Sequence, residues 1–171
     1  MAVDVKICGI TEAEHAHFAA EHGARWLGFV FFEKSPRNLS LEAAEALGKI
    51  LPTGPKRVGV FVNASDTLLK AAIAALSLDA VQLHGDETPA DAKRLKELLG
   101  VKIIKAVAIS NEDDITKADP FLPHVDRILF DAKPPKGAVL PGGNAVSFPW
   151  HILKGKGLPY RWMLAGGLTA E

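Results

Sequence analysis

The chain has 171 residues, 48% hydrophobic and 23% charged, with 20 basic against 20 acidic side chains and one cysteine. That length suits a single domain with a full core, and the zero net charge offers no basic stripe for a nucleic-acid partner. A lone cysteine cannot close an intrachain disulfide, no apolar run approaches the ~20 residues of a membrane span, and Asp4 and Lys6 stand where an export signal would be apolar; the expectation is one cytoplasmic domain over 1–171 with no membrane partner.

Short apolar runs recur in chain order: VDVKIC, WLGFVFF, RVGVFV, DAVQLH, VKIIKAVA, DRILFD and RWMLAG. Helical spacing fills the intervals. EAEHAHFAAEH follows the first run, with Thr11 as the expected N-cap and Gly23 past its end; SLEAAEALGKIL follows the second, capped by Ser40 and stopped before Pro52. SDTLLKAAIAALS starts at Ser65 or Asp66, and TPADAKRLKELLG has Pro89 at its first helical position and Gly100 at its end. SNEDDITKA and SFPWHILKG read as two shorter helices.

Strands apolar on both faces, alternating with helices, form a parallel sheet. An open doubly wound sheet competes with a closed (β/α)8 barrel, and the missing G-x-G-x-x-G after the first strand favours the barrel. The sequence runs just past its seventh strand, and closure at eight needs on the order of 30–40 residues more. A chain ending at Glu171 would leave strands one and seven with open edges; weak stability or association through those edges, and greatly reduced activity, are expected of it.

Parallel α/β folds carry chemistry at the carboxyl ends of their strands. That rule selects Cys8, the segment around Ser35, Pro36 and Arg37, then Asn63, then Gln82, His84 and Asp86, then Asp131 with the glycines that follow, and finally Gly166 and Gly167. Each has a plainer reading: a strand cysteine is a small hydrophobe, a loop arginine is solvated, and paired glycines mark turns. Asp131 resists the plain reading most, because a carboxylate ending an apolar strand must find hydrogen bonds or water. His15, His17 and His22 share one helix and are expected to face solvent, while Trp26 and Trp162 open strands and are expected to pack the rim.

KICGIT, GFVFFEKSPRNLS, VGVFVN, VQLHGDE, ILFDAK followed by PGGN, and LAGGL occur in that order over essentially the whole chain. Together they are similar to the phosphoribosylanthranilate isomerase family. The resemblance implies a (β/α)8 barrel that converts N-(5-phosphoribosyl)anthranilate to the 1-deoxyribulose phosphate by an Amadori rearrangement in tryptophan biosynthesis, without metal or cofactor. It makes Cys8 the general base and Asp131 the general acid, and Arg37 the holder of the anthranilate end. Gln82 and His84, placed at a strand end by the residue reading alone, are added as candidate substrate-side groups, His84 acting through its neighbours. Gly142, Gly143, Gly166 and Gly167 form part of the phosphate site. The family includes monomers and dimers, so a homodimer is left open.

The chemistry suits those residue types. Opening the furanose needs a proton on the ring oxygen, which a buried carboxylic acid can supply. The resulting protonated Schiff base acidifies the C2 proton, and a thiolate can remove it. A guanidinium fork matches a benzoate carboxylate, and glycine amides admit a phosphate closely. Two positions depart from the family pattern: Ala145 stands where a further glycine is usual, and Pro149 where an aspartate precedes the tryptophan, which puts the phosphate-loop geometry in question. The alternatives are an inactive barrel fragment, or another sugar-phosphate isomerase or epimerase using His84 and Asp131 as metal ligands.

Overall fold

A computed structural model describes residues 3–135, 137–138, 140–143 and 147–168; Ala145 lies outside them. Its backbone forms two compact units, Met1–Gln82 and Leu83–Glu171.

The first unit runs β1 (Lys6–Cys8), α1 (Ala13–Glu21), β2 (Trp26–Phe31), α2 (Leu41–Gly48), β3 (Lys56–Phe61), α3 (Asp66–Leu76) and β4 (Ala80–Leu83), whose last residue opens the second unit. Strand order follows chain order, β1-β2-β3-β4. The pairing is parallel, with Cys8 opposite Gly28 and Phe31 opposite Phe61. All six residues of β2 are buried, so the strand reads as a continuous apolar run with no polar face. Phe31 and Phe61 stack with ring centroids 5.1 Å apart. Each helix buries a narrow stripe at helical spacing: Ala16 and Ala19 in α1, Ala44 and Leu47 in α2, Leu69, Ala72 and Leu76 in α3.

At the amino ends of the strands, Asp79 joins neighbouring elements. It accepts from Lys56 Nζ at 2.8 Å and from the Arg57 amide at 2.9 Å, and Arg57 Nη1 donates to the Leu76 carbonyl at 2.9 Å. Burial pushes the Asp79 carboxyl up, but the hydrogen bonds and charges of Lys56 and Arg57 outweigh it and leave the group below its ordinary range.

The second unit runs α4 (Pro89–Leu99), β5 (Lys102–Ile109), a 3-10 segment Asp113–His124, β6 (Arg127–Ala132), a 3-10 turn Trp150–Leu153 and β7 (Trp162–Leu164). Its strands lie in the parallel order β5-β6-β7. Val107, Ile109, Ile115, Ala118, Ile128, Phe130, Ala132, Phe148 and Leu153 form one buried cluster. The βα succession and parallel order are those of a (β/α)8 barrel through its seventh strand.

Three expectations need correction. Thr11 does not cap α1: Glu12 occupies the N-cap, with no side-chain cap bond, so the first turn lacks the local acceptor that Ser40, Ser65 and Thr88 supply to α2, α3 and α4. The two shorter helices are 3-10, not α. Pro120 and Pro123 lie inside the first; neither has an N–H to give, and each crowds the carbonyl four residues back. The second is a single turn opened by Pro149, whose carbonyl accepts from Ile152 N at 3.0 Å. Trp26 is buried as expected, whereas Trp162 is 38% exposed and tilts against Phe130. His15, His17 and His22 are exposed.

Candidate active site

In the first unit, Cys8 ends β1 and is exposed. Its neighbour across the ladder is Gly28. A Cβ on Gly28 would sit 2.8 Å from Cys8 Sγ and 3.1 Å from Lys6 Nζ. Only a residue without a side chain leaves the thiol that space, and residues two apart on β1 present both groups to one face.

Arg37 is held over the same strand end. Residues 32–39 fold back on β2: Leu39 N donates to the Val30 carbonyl at 2.8 Å, and Asn38 Oδ1 accepts from Phe32 N at 2.7 Å. Ser35 Oγ accepts from the Arg37 amide at 3.2 Å. From this turn Arg37 Nη1 donates to the Cys8 carbonyl at 3.0 Å. One edge of an otherwise exposed guanidinium is thereby anchored beside the thiol. Asn63, at the end of β3, is exposed in a left-handed conformation (φ 49°). Gln82 is buried in β4.

The second unit gathers the other candidates around Asp131. Phe130 and Ala132 point into the apolar cluster, so the intervening Asp131 projects to the opposite face. Asp131 is 6% exposed as a residue. Oδ1 accepts from the Ala132 amide at 2.8 Å, and Oδ2 lies 3.2 Å from His84 Nε2. Those contacts set the rotation of the carboxyl. Glycine backbone packs against it: a Cβ on Gly142 would stand 2.3 Å from His84 Nε2 and 2.7 Å from Asp131 Oδ2, and one on Gly166 would stand 3.1 Å from Asp131 Oδ1. Trp150 Nε1 donates to the Gly166 carbonyl at 3.2 Å. Gly143 is in a left-handed conformation, and Gly167 lies against Ser147. Asp86, in the loop after β4, is exposed.

Two groups escaped the sequence reading. Lys105, in the middle of β5, is 4% exposed and pairs with Glu87 at 2.9 Å. Asp114 accepts from the amide and hydroxyl of Ser110, each at 2.8 Å, and pairs with Lys117 at 2.6 Å. Lys117 outweighs burial and holds the Asp114 carboxyl far below the ordinary range. A lysine centred in an apolar strand was the visible signal for the first, since a buried ammonium requires a partner.

Comparison with known proteins follows the same lines. The profile of the N-(5'-phosphoribosyl)anthranilate (PRA) isomerase family matches residues 5–171. The N-(5'-phosphoribosyl)anthranilate isomerase of Paramagnetospirillum magneticum is 48% identical over 171 residues, covering 99% of this chain and 79% of that protein. The crystal structure of phosphoribosyl anthranilate isomerase from Thermotoga maritima superposes with a TM-score of 0.82 at 38% identity, over 98% of this chain and 78% of that one. A phosphoribosyl anthranilate isomerase in complex with reduced 1-(o-carboxyphenylamino)-1-deoxyribulose 5-phosphate superposes at 0.78 with 37% identity, over 98% and 77%. With its parallel βα units and its match from residue 5 onward, the chain belongs to the N-(5'-phosphoribosyl)anthranilate isomerase family.

Proposed function

We propose that the protein converts N-(5-phosphoribosyl)anthranilate to 1-(2-carboxyphenylamino)-1-deoxyribulose 5-phosphate, with Asp131 as general acid and Cys8 as general base. The observation that carries the assignment of the acid is the buried Asp131 carboxyl, turned away from the apolar core and oriented by His84 and the Ala132 amide. Asp131 delivers its proton to the furanose oxygen as the C1–O bond breaks, and the anilino nitrogen supplies the electron pair that makes the Schiff base. The positive nitrogen then acts as the electron sink, so the C2 proton passes to the Cys8 thiolate and an enolamine forms. Tautomerisation gives the ketone. Acid and base groups each contribute about 10²–10⁴-fold to such steps.

Arg37 receives the benzoate carboxylate: its anchored edge leaves the rest of the guanidinium fork for a bidentate contact. Gln82 and His84 complete the contacts to the sugar. The amides of Gly142, Gly143, Gly166 and Gly167 take the phosphate, which positions the reacting carbons. One barrel domain in the cytoplasm carries this chemistry, and sedimentation of the intact protein distinguishes one copy from a homodimer.

The test is turnover of the fluorescent anthranilate phosphoriboside by the intact protein. Cys8→Ala and Asp131→Asn each reduce kcat by at least about 10²-fold while the protein stays folded. Wild-type turnover in either variant would overturn the assignment of that residue.

A further inference from the structure

Lys105 poses a question that stability does not answer. Its side chain and that of Glu87 are 5% and 8% exposed, and an ion pair that deep is often replaceable by apolar residues without loss of stability. Its hydrogen bonds are more telling. Lys105 Nζ donates to the Gly85 carbonyl at 2.6 Å and to the Leu83 carbonyl at 3.4 Å, as well as to Glu87 Oε2 at 2.9 Å. The same Glu87 oxygen accepts from the Gly85 amide at 2.9 Å. Leu83 and Gly85 are the residues on either side of His84. Lys105 itself sits on a strand, packed beneath the Phe121 ring at 5.7 Å.

We infer that the Lys105–Glu87 pair is a positioning device for the general acid: it fixes the backbone on both sides of His84, and His84 in turn holds Asp131. The inference rests on Asp131 being that acid. The ammonium binds both flanking carbonyls, and Glu87 binds the intervening amide, so the loop cannot rotate about His84 without breaking charge-assisted hydrogen bonds in a dry site. His84 has little freedom of its own, because the Gly142 backbone leaves no room for even a Cβ beside Nε2. The 3.2 Å contact between His84 and Asp131 therefore inherits the rigidity of β5. Displacements of about 1 Å in such a group can cost roughly 10²-fold in rate.

A double-mutant cycle on the intact protein tests this, with kcat and KM measured separately and folding followed by circular dichroism. Lys105→Met is expected to lower kcat by about ten- to a hundredfold with KM within about twofold. In a His84→Ala background the same substitution is expected to lower kcat no further. Wild-type kcat in folded Lys105→Met, or an equal loss in both backgrounds, overturns the proposal. If Lys105→Met does not fold, Glu87→Gln decides by the same two criteria, since it keeps the acceptor and removes the charge. Asp131→Asn separates the two levels: activity in that variant sinks the acid assignment itself, whereas an inactive Asp131→Asn beside an unaffected Lys105→Met or Glu87→Gln sinks only the positioning role.

Discussion

Gly142 shows how little volume the surroundings of Asp131 concede. A methyl there would meet His84 Nε2 at 2.3 Å and Asp131 Oδ2 at 2.7 Å, distances at which one of the three groups has to move. Gly142→Ala is expected to lower kcat by about 10²-fold through displacement of the carboxyl, and steady-state kinetics checks it; unchanged kcat would show that the loop yields instead. Gly28 plays the matching part beside the thiol, with its missing Cβ 2.8 Å from Cys8 Sγ. Gly28→Ala is expected to slow both turnover and alkylation of Cys8 by iodoacetamide, read by mass spectrometry against wild type. The placement of Cys8, Asp131 and His84 at strand ends was legible in the sequence, because strand ends in a parallel fold are predictable places. The Lys105–Glu87 pair was not, because a charge within an apolar strand says that a partner exists without saying which residue it is.

The same contrast holds for whole elements. The strands and the first four helices follow from apolar runs and helical spacing, with side-chain caps at α2, α3 and α4 but not at α1, each a local signal. The region after β5 is different: its charges and helical spacing suggest α-helix, yet Pro120 and Pro123 impose 3-10 turns. Pro149 does the same at Trp150, so the segment leading to β7 begins without a side-chain cap. Caps that are present have measurable weight. Thr88 forms a reciprocal box with Asp91: Asp91 N donates to Thr88 Oγ1 at 3.2 Å, and Asp91 Oδ2 accepts from the Thr88 amide at 2.9 Å and hydroxyl at 2.7 Å. These bonds hold the Asp91 carboxyl below its ordinary range. Thr88→Ala is expected to cost about 1 kcal/mol of stability, seen as a lower midpoint in urea denaturation at neutral pH.

For the molecule as a whole, equal numbers of acidic and basic residues conceal an asymmetry in how the carboxylates are held. Asp79, in the connection before β4, Asp91 in α4 and Asp114 in the 3-10 segment are all stabilised in their charged form. An unfolded aspartate titrates near about 3.9, so as pH drops through that region the unfolded chain takes up protons that the folded chain refuses. The stabilisation from these groups is therefore complete above the unfolded value and declines as the solution is acidified toward the depressed folded values. Asp114 has the lowest of the three, set first by Lys117 and then by the Ser110 amide and hydroxyl acting against burial. Asp114→Asn keeps a side-chain acceptor for Ser110 and removes the charge. It is expected to cost about 1–3 kcal/mol at neutral pH and to flatten the fall in stability between about pH 5 and 2, measured by urea denaturation at stepped pH. A variant curve parallel to the wild-type curve throughout would mean that this carboxylate does not govern acid sensitivity and that the remaining carboxylates do.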